Sequence, residues 1–169
     1  MIRTILKFGA PELHTKCAPV TQFDETLHSL AEDMLETMYA APGVGLAATQ
    51  VGAALRLIVV DVSGGEEKGQ QFVLINPEIS EQEGQEKGEE GCLSIPGFTA
   101  IVERPSSIRV TGKDLEGNLQ EVTAEGILAR VICHEIDHLD GILYLDRISL
   151  LKRDLIKRKI RKLVRAGEW

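Results

Sequence analysis

The stretch His134-Glu135-Ile136-Asp137-His138 holds the residues of this chain whose types and spacing suit chemistry best. A helix repeats every 3.6 residues, so histidines four apart direct both imidazoles into one space, and that space suits a divalent metal. Glu135 follows the first histidine by about 100° of helical rotation, which sets its carboxylate beside such a metal as a general base rather than a ligand. The competing reading is structural. Ile127 and Val131 share the stripe of His134 and His138, so the histidines are expected to face a core. A lone histidine there is commonly a satisfied core residue. Burying two histidines and a glutamate unpaired would cost several kcal/mol, which favours the metal reading.

A catalytic metal of this kind needs a third protein ligand. The other two histidines, His14 and His28, lie far upstream, and no His follows His138, so the extended motif with a third His six residues after the pair is absent. Asp140, Asp146, Asp154 and Glu168 are acidic candidates downstream. Three cysteines, at 17, 92 and 133, form an odd set in a chain with no signal peptide at its start, which argues for reduced thiols. Cys133 adjoins His134 but projects about 100° away from it on a helix, so it reads as packing. Cys92 lies in Glu90-Gly91-Cys92-Leu93-Ser94-Ile95-Pro96-Gly97, a short run that suits a strand end or loop presenting one thiol. Alone it would be buried packing; beside a two-histidine helix that lacks a third ligand, it becomes the preferred one.

The segment Gly43-Val44-Gly45-Leu46-Ala47-Ala48-Thr49-Gln50 is weaker by itself. Small residues let backbone approach another chain or a ligand closely, and Gln50 offers two amide donors. A glycine-rich turn after a helix is usually a cap and a packing contact. It lacks the Lys-Ser/Thr ending of a phosphate loop and precedes a strand rather than following one, against a dinucleotide fingerprint.

Together, Gly43 to Gln50, Glu90-Gly91-Cys92-Leu93-Ser94 and His134-Glu135-Ile136-Asp137-His138 closely resemble, in order and spacing, the three motifs of the peptide deformylases. That family removes the formyl group from the initiating methionine of new bacterial polypeptides. The resemblance runs from about Ile5 to Leu163. It implies that Cys92, His134 and His138 bind the metal and that Glu135 is the acid/base. It further implies that the Gln50 amide and the Leu93 backbone N–H steady the oxyanion, while the Gly45 carbonyl accepts the formamide N–H. Val44, Glu90, Ile127 and Val131 fall where relatives line the methionine pocket. Two departures stand out. Many relatives carry Gln where this chain has Cys133, which brings a thiol and its oxidation chemistry, and some carry charged residues in place of Pro42 and Thr99 at the cleft rim.

These residues suit amide hydrolysis. A three-ligand metal leaves one position for water and lowers its pKa from 15.7 to about 7. Glu135 would move the proton to the departing nitrogen. One Cys and two His accept Zn(II), Fe(II), Ni(II) or Co(II), and the resemblance favours Fe(II) as the native ion.

Length and composition fit one compact domain, residues 1–169, able to bury roughly 70% of its unfolded surface. Hydrophobic content of 43% supports an ordinary core, and no run of about 18 apolar residues predicts a membrane span. Met1-Ile2-Arg3 opens no secretory or transit peptide, so a soluble cytoplasmic protein is expected. Leu27, Leu30, Ala31, Met34, Leu35, Met38 and Tyr39 recur at helical spacing up to Pro42-Gly43. Strands are expected over 55–62 and 72–75, and a hairpin over 108–111 and 119–123, before the metal helix. The fold class is α+β: short, mainly antiparallel strands around a central buried metal-binding helix, flanked by an N-terminal and a C-terminal helix.

The net charge of −7 is unevenly spread: residues 150–166 carry eight Lys/Arg against Asp154 alone, +7 locally, leaving −14 elsewhere. This helix has an apolar stripe, Leu151, Leu155, Ile156, Ile160, Leu163 and Val164, for docking on the body. Its basic face is either solvated surface or a contact for ribosomal RNA phosphate near the peptide exit, as the resemblance to ribosome-associated deformylases suggests. Three function classes follow. They are a deformylase acting on N-formylmethionyl peptides, a zinc metallopeptidase using a downstream Asp as third ligand, and a nucleic-acid-binding module with a structural metal.

Overall fold

The computed structural model describes residues 1–169. Helix α1 spans Glu25–Ala40, where the Asp24 carboxylate accepts from the Leu27 N–H at 3.0 Å and so satisfies one of the helix's free donors. Strands β1 (Gly45–Ala47), β2 (Leu57–Val60) and β3 (Phe72–Glu83) follow, then the ribbon β4 (Glu86–Cys92) and β5 (Ile95–Arg104). Strands β6 (Ser107–Lys113) and β7 (Leu119–Glu125) lead into α2 (Gly126–Leu139), and α3 (Leu150–Arg165) completes the order. Five strands pair antiparallel as β1-β2-β3-β6-β7, and β4-β5 form a separate antiparallel pair.

Alternation along β2 explains how α2 becomes buried. All four residues of Leu57–Val60 are buried, and period-two geometry sends Ile58 and Val60 to one face, Leu57 and Val59 to the other. Ile58, Val60, Leu74 and Val110 meet Ala129, Ile132, Cys133 and Ile136 of α2. Leu57, Val59, Ile75 and Leu46 meet Leu30, Met34 and Met38 of α1. The sheet is thus clad by one helix on each side. A third cluster joins Ile95 and Val102 of β5 to Leu143, Tyr144 and Leu145 and to Ile156 and Ile160 of α3, which ties the ribbon to the chain's last helix.

The α+β class, the central helix and the two flanking helices match expectation. The strands differ in extent. Leu57–Val60 is shorter than 55–62, and β3 runs on through the polar segment Pro77–Glu83 because β6 pairs with it there. The stripe on α3 is only half covered: Ile156 and Ile160 pack inward, whereas Leu151 is 78% and Leu155 50% exposed.

Candidate metal centre and active site

Three elements converge on one point. The β4-β5 register shifts between Gly91 and Cys92, so the ribbon ends in an irregular turn that presents the Cys92 thiol. Helix α2 supplies His134 and His138. Donor atoms of Cys92, His134 and His138 all lie within 4.8 Å of one another. Cys92 Sγ is 3.3 Å from His138 Nε2, and Glu135 Oε1 stands 3.9 Å from Nε2 of each histidine. That is too far for a direct bond and close enough to share the space between the rings. His134 Nδ1 is taken by Glu90 Oε1 at 2.9 Å, which leaves its Nε2 to face the site.

Two buried atoms here, Glu135 Oε2 and His138 Nδ1, make no hydrogen bond. Leaving the Glu135 carboxylate oxygen unpaired is expensive, so the site is built for something that rewards it, whereas His138 Nδ1 lies on the ring edge away from the donors, which face Nε2. A soft thiolate with two imidazoles is a donor set for a transition metal, and the residues fit one. Burial, reinforced by the charges of His134 and Arg104, holds His138 well below the ordinary imidazole pKa and so in the neutral, ligating form. Burial also opposes a charge on His134, yet its bonds to Cys92 and Glu90 raise it above its usual value. Burial lifts Glu135 to about 7, with the His134 charge pulling the other way.

Behind the donors lies a network of charged side chains. Arg104 gives Nε and Nη2 to the two Glu90 oxygens at 2.8 Å each and Nη1 to Asp137 at 2.6 Å. Arg130 also donates to Glu90, at 2.8 Å, and Arg147 closes a two-bond fork on Asp137 at 2.7 Å. Burial alone would raise Glu90, but hydrogen bonds from Arg104 and His134 hold it at about 2. None of Arg104, Arg130, Asp137 and Arg147 stood out in the sequence. Asp137 lies inside the most visible motif, and Arg130, alone among the apolar residues Ile127 to Ile132, was the available signal.

A cleft of about 680 Å³ opens over the donors. Val44, Gly45, Gln50, Glu90, Cys92, Leu93, Ile127, Val131, His134 and Glu135 all border it, while His138 lies beneath. Ile127 was expected to face a core with the histidines; it is 63% exposed, because its stripe faces this cleft while the stripe of Ile132 and Ile136 faces the sheet. Glu90 borders the cleft, but Arg104, Arg130 and His134 engage its carboxylate from behind. Gln50 Oε1 accepts from the Ala47 N–H at 2.9 Å, and its Nε2 donates to Ser94 Oγ at 3.0 Å and approaches Cys92 Sγ at 3.7 Å. Gly45 admits no side chain: a Cβ there would lie 2.8 Å from Val131 Cγ1 and 3.0 Å from Glu135 Cγ.

Other candidates fall elsewhere. Asp140 pairs with Arg56, Asp146 accepts from the Leu143 N–H, and Asp154 lies beside Arg153. His14 lies edge-on to Phe8, and His28 meets Glu116. Cys133 is buried on the face of α2 that packs against the sheet, and burial raises its thiol to about 11. It is a packing residue, as expected.

Such a site, with three soft-to-borderline donors, an unligated carboxylate and a long cleft, has the parts of a metal-dependent hydrolase. The polypeptide deformylase family model matches residues 2–154. A peptide deformylase of Acidobacterium capsulatum is 50% identical over 169 residues, covering 100% of this chain and 99% of that protein. One from Alkalilimnicola ehrlichii is 53% identical over 168 residues, covering 98% of this chain and 93% of the other. The crystal structure of a peptide deformylase from Legionella pneumophila superposes with a TM-score of 0.92 at 45% identity, over 99% of this chain and 98% of that one. The chain belongs to the polypeptide deformylase family, enzymes that remove N-formyl groups.

Proposed function

We propose a division of labour for hydrolysis of the N-formyl group of initiator methionine on nascent polypeptides, with release of formate. Cys92, His134 and His138 hold one divalent ion, natively Fe(II), with Zn(II), Ni(II) or Co(II) as substitutes. When bound, the ion supplies Lewis acidity and a water of lowered pKa. Glu135 is placed to accept the proton of a water attacking the formyl carbon and to return it to the leaving nitrogen. Gln50 Nε2 and the Leu93 N–H steady the oxygen of the tetrahedral state, a donor of this kind being typically worth about 2.7 to 4 kcal/mol. Strand β1 is an edge of its sheet, so its outward backbone groups, the Gly45 carbonyl among them, suit pairing with an extended peptide. Val44, Ile127 and Val131 form apolar wall for the methionine side chain. Glu90 works from behind, as the partner that orients His134.

The observation that carries this reading is the meeting of the three donors within 4.8 Å of one another with Glu135 Oε1 3.9 Å from both imidazoles. Formate release from formyl-Met-Ala by Fe(II)-loaded protein prepared without oxygen tests it. Glu135→Gln should keep its metal and lose turnover; near-normal turnover would remove Glu135 from its role. Cys92→Ser should lose metal, because a neutral hydroxyl replaces a thiolate, whereas Cys133→Ser should keep it.

The same reading treats residues 1–169 as one catalytic domain that includes α3 and works in the cytoplasm at the ribosome. No helix is long and apolar enough to cross a membrane. Helix α3 carries Lys152, Arg153, Lys157, Arg158, Lys159, Arg161, Lys162 and Arg165, and RNA phosphate would draw it by an attraction that weakens steeply with salt. Replacing Lys157, Arg158, Arg161 and Lys162 by Gln should reduce cosedimentation with ribosomes at low salt; unchanged cosedimentation would leave the basic face as solvated surface.

A further inference from the structure

Helix α3 ends in a tight reversal that places a tryptophan against the cleft rim. Gly167 adopts φ +72, and the Glu168 N–H reaches back to the Leu163 carbonyl at 2.8 Å. This left-handed cap turns the chain back on itself. It lays Trp169 on the N-terminal segment, with the indole Nε1 donating to the Phe8 carbonyl at 2.9 Å. The Trp169 ring centroid is 6.2 Å from that of Phe98, and Lys7 Nζ sits 5.9 Å from it. Lys7 and Phe98 border the cleft. Trp169 does not border it and stands behind them.

The backbone under Trp169 is tied to the catalytic loops. Leu6 donates to the Gln50 carbonyl at 2.7 Å, and Phe8 donates to the Ser94 carbonyl at 2.8 Å. Ile95 pairs with Cys92 while Thr99 already pairs with Gly91, so Pro96, Gly97 and Phe98 bulge from the end of the ribbon, with Gly97 at φ +87. The proposed function gives Val44, Ile127 and Val131 to the methionine side chain, which leaves Phe98 and Lys7, also on the cleft border, to meet the residues that follow it.

We propose that Trp169 is a positioning residue for this outer cleft: by holding Phe98, Lys7 and Phe8, it fixes the wall that meets the residues following formylmethionine. This rests on the deformylase reading for its substrate. An aromatic contact of this kind is worth a factor of roughly three to ten. Trp169→Ala should therefore raise KM for a formyl-Met tetrapeptide by about that factor, while KM for formyl-Met-Ala and kcat for both stay within about twofold. Trp169→Phe should recover most of the loss, since it keeps a ring against Phe98.

Trp169 is the chain's single tryptophan, so its emission reads binding without turnover. In the metal-loaded Glu135→Gln variant, the tetrapeptide should shift that emission and formyl-Met-Ala should leave it unchanged. Equal emission changes with both peptides, or Trp169→Ala affecting both KM values alike, would overturn the proposal. So would a loss of kcat with both peptides in a variant whose thermal unfolding matches the parent. Formate release by the parent tests the underlying reading separately, because the emission contrast does not require turnover.

Discussion

Helices α2 and α3 carry their charge in opposite ways. In α2, Arg130, Glu135, Asp137 and His138 are buried, and all but the catalytic candidates have their polar atoms paired. In α3, only Ile156 and Ile160 are buried; six of the eight basic side chains are exposed, while Arg153 and Lys157 are half-buried, Lys157 Nζ lying 5.9 Å from the Phe8 ring centroid. Both helices are amphipathic, so amphipathicity alone does not say where the charge goes. The buried charges Arg130 and Asp137 of α2 are matched to partners on other elements, which makes them structural commitments. A charge on α3 has few such partners and remains free to meet an outside surface.

The sharpest way to break this contrast is Arg104→Met. It leaves Glu90 and Asp137 short of a shared cation, and breaking a buried pair of this kind costs about 3 to 5 kcal/mol. Urea unfolding would measure it, and a loss under about 1 kcal/mol would mean that α2's charges are no more committed than α3's. Next comes metal removal. Chelation should lower stability by about 2.7 kcal/mol relative to protein at a hundredfold excess over Kd, read as a fall in Tm that Fe(II) or Zn(II) restores. An unchanged Tm would contradict a buried metal centre. Gly45→Ala should cost about 1 to 3 kcal/mol by forcing Val131 and Glu135 aside, and it should cut turnover more than stability. Replacing Lys157, Arg158, Arg161 and Lys162 by Gln should change stability by less than about 0.5 kcal/mol per site. A larger loss would show α3's charges to be structural after all.

What was legible in the sequence follows the reach of each signal. The histidine pair and Glu135 are local, so a helical period was enough to align them. Cys92 lay more than forty residues away and was found by the absence of another ligand and by the family's motif, not by periodicity. The ribbon was not legible: Glu86-Lys87-Gly88-Glu89-Glu90-Gly91-Cys92 shows no apolar alternation because much of β4 faces solvent, and β5 opens with Ile95-Pro96-Gly97. The stripe through Ile127 and Val131 was correctly seen as apolar, but a period cannot say whether protein or substrate will cover it. The Arg104 network was hidden for a related reason: a charged residue's burial depends on partners far away in the chain. Trp169 and Phe8 are 161 residues apart and meet only in the fold.

The separation of the metal donors bears on how the chain folds. Cys92 and His138 lie 46 residues apart on different elements, and the sheet between them must be ordered before they can meet. Closing such a long loop is an entropic cost that comes before its reward, and contacts of this kind tend to form late. A ligand that joins after the rate-limiting step leaves the folding rate nearly untouched and slows unfolding instead. Metal should therefore act on this protein as a kinetic lock. In a denaturant chevron, adding Zn(II) should lower the unfolding arm and leave the folding arm in place, whereas acceleration of folding would show that the thiol and the imidazoles meet early.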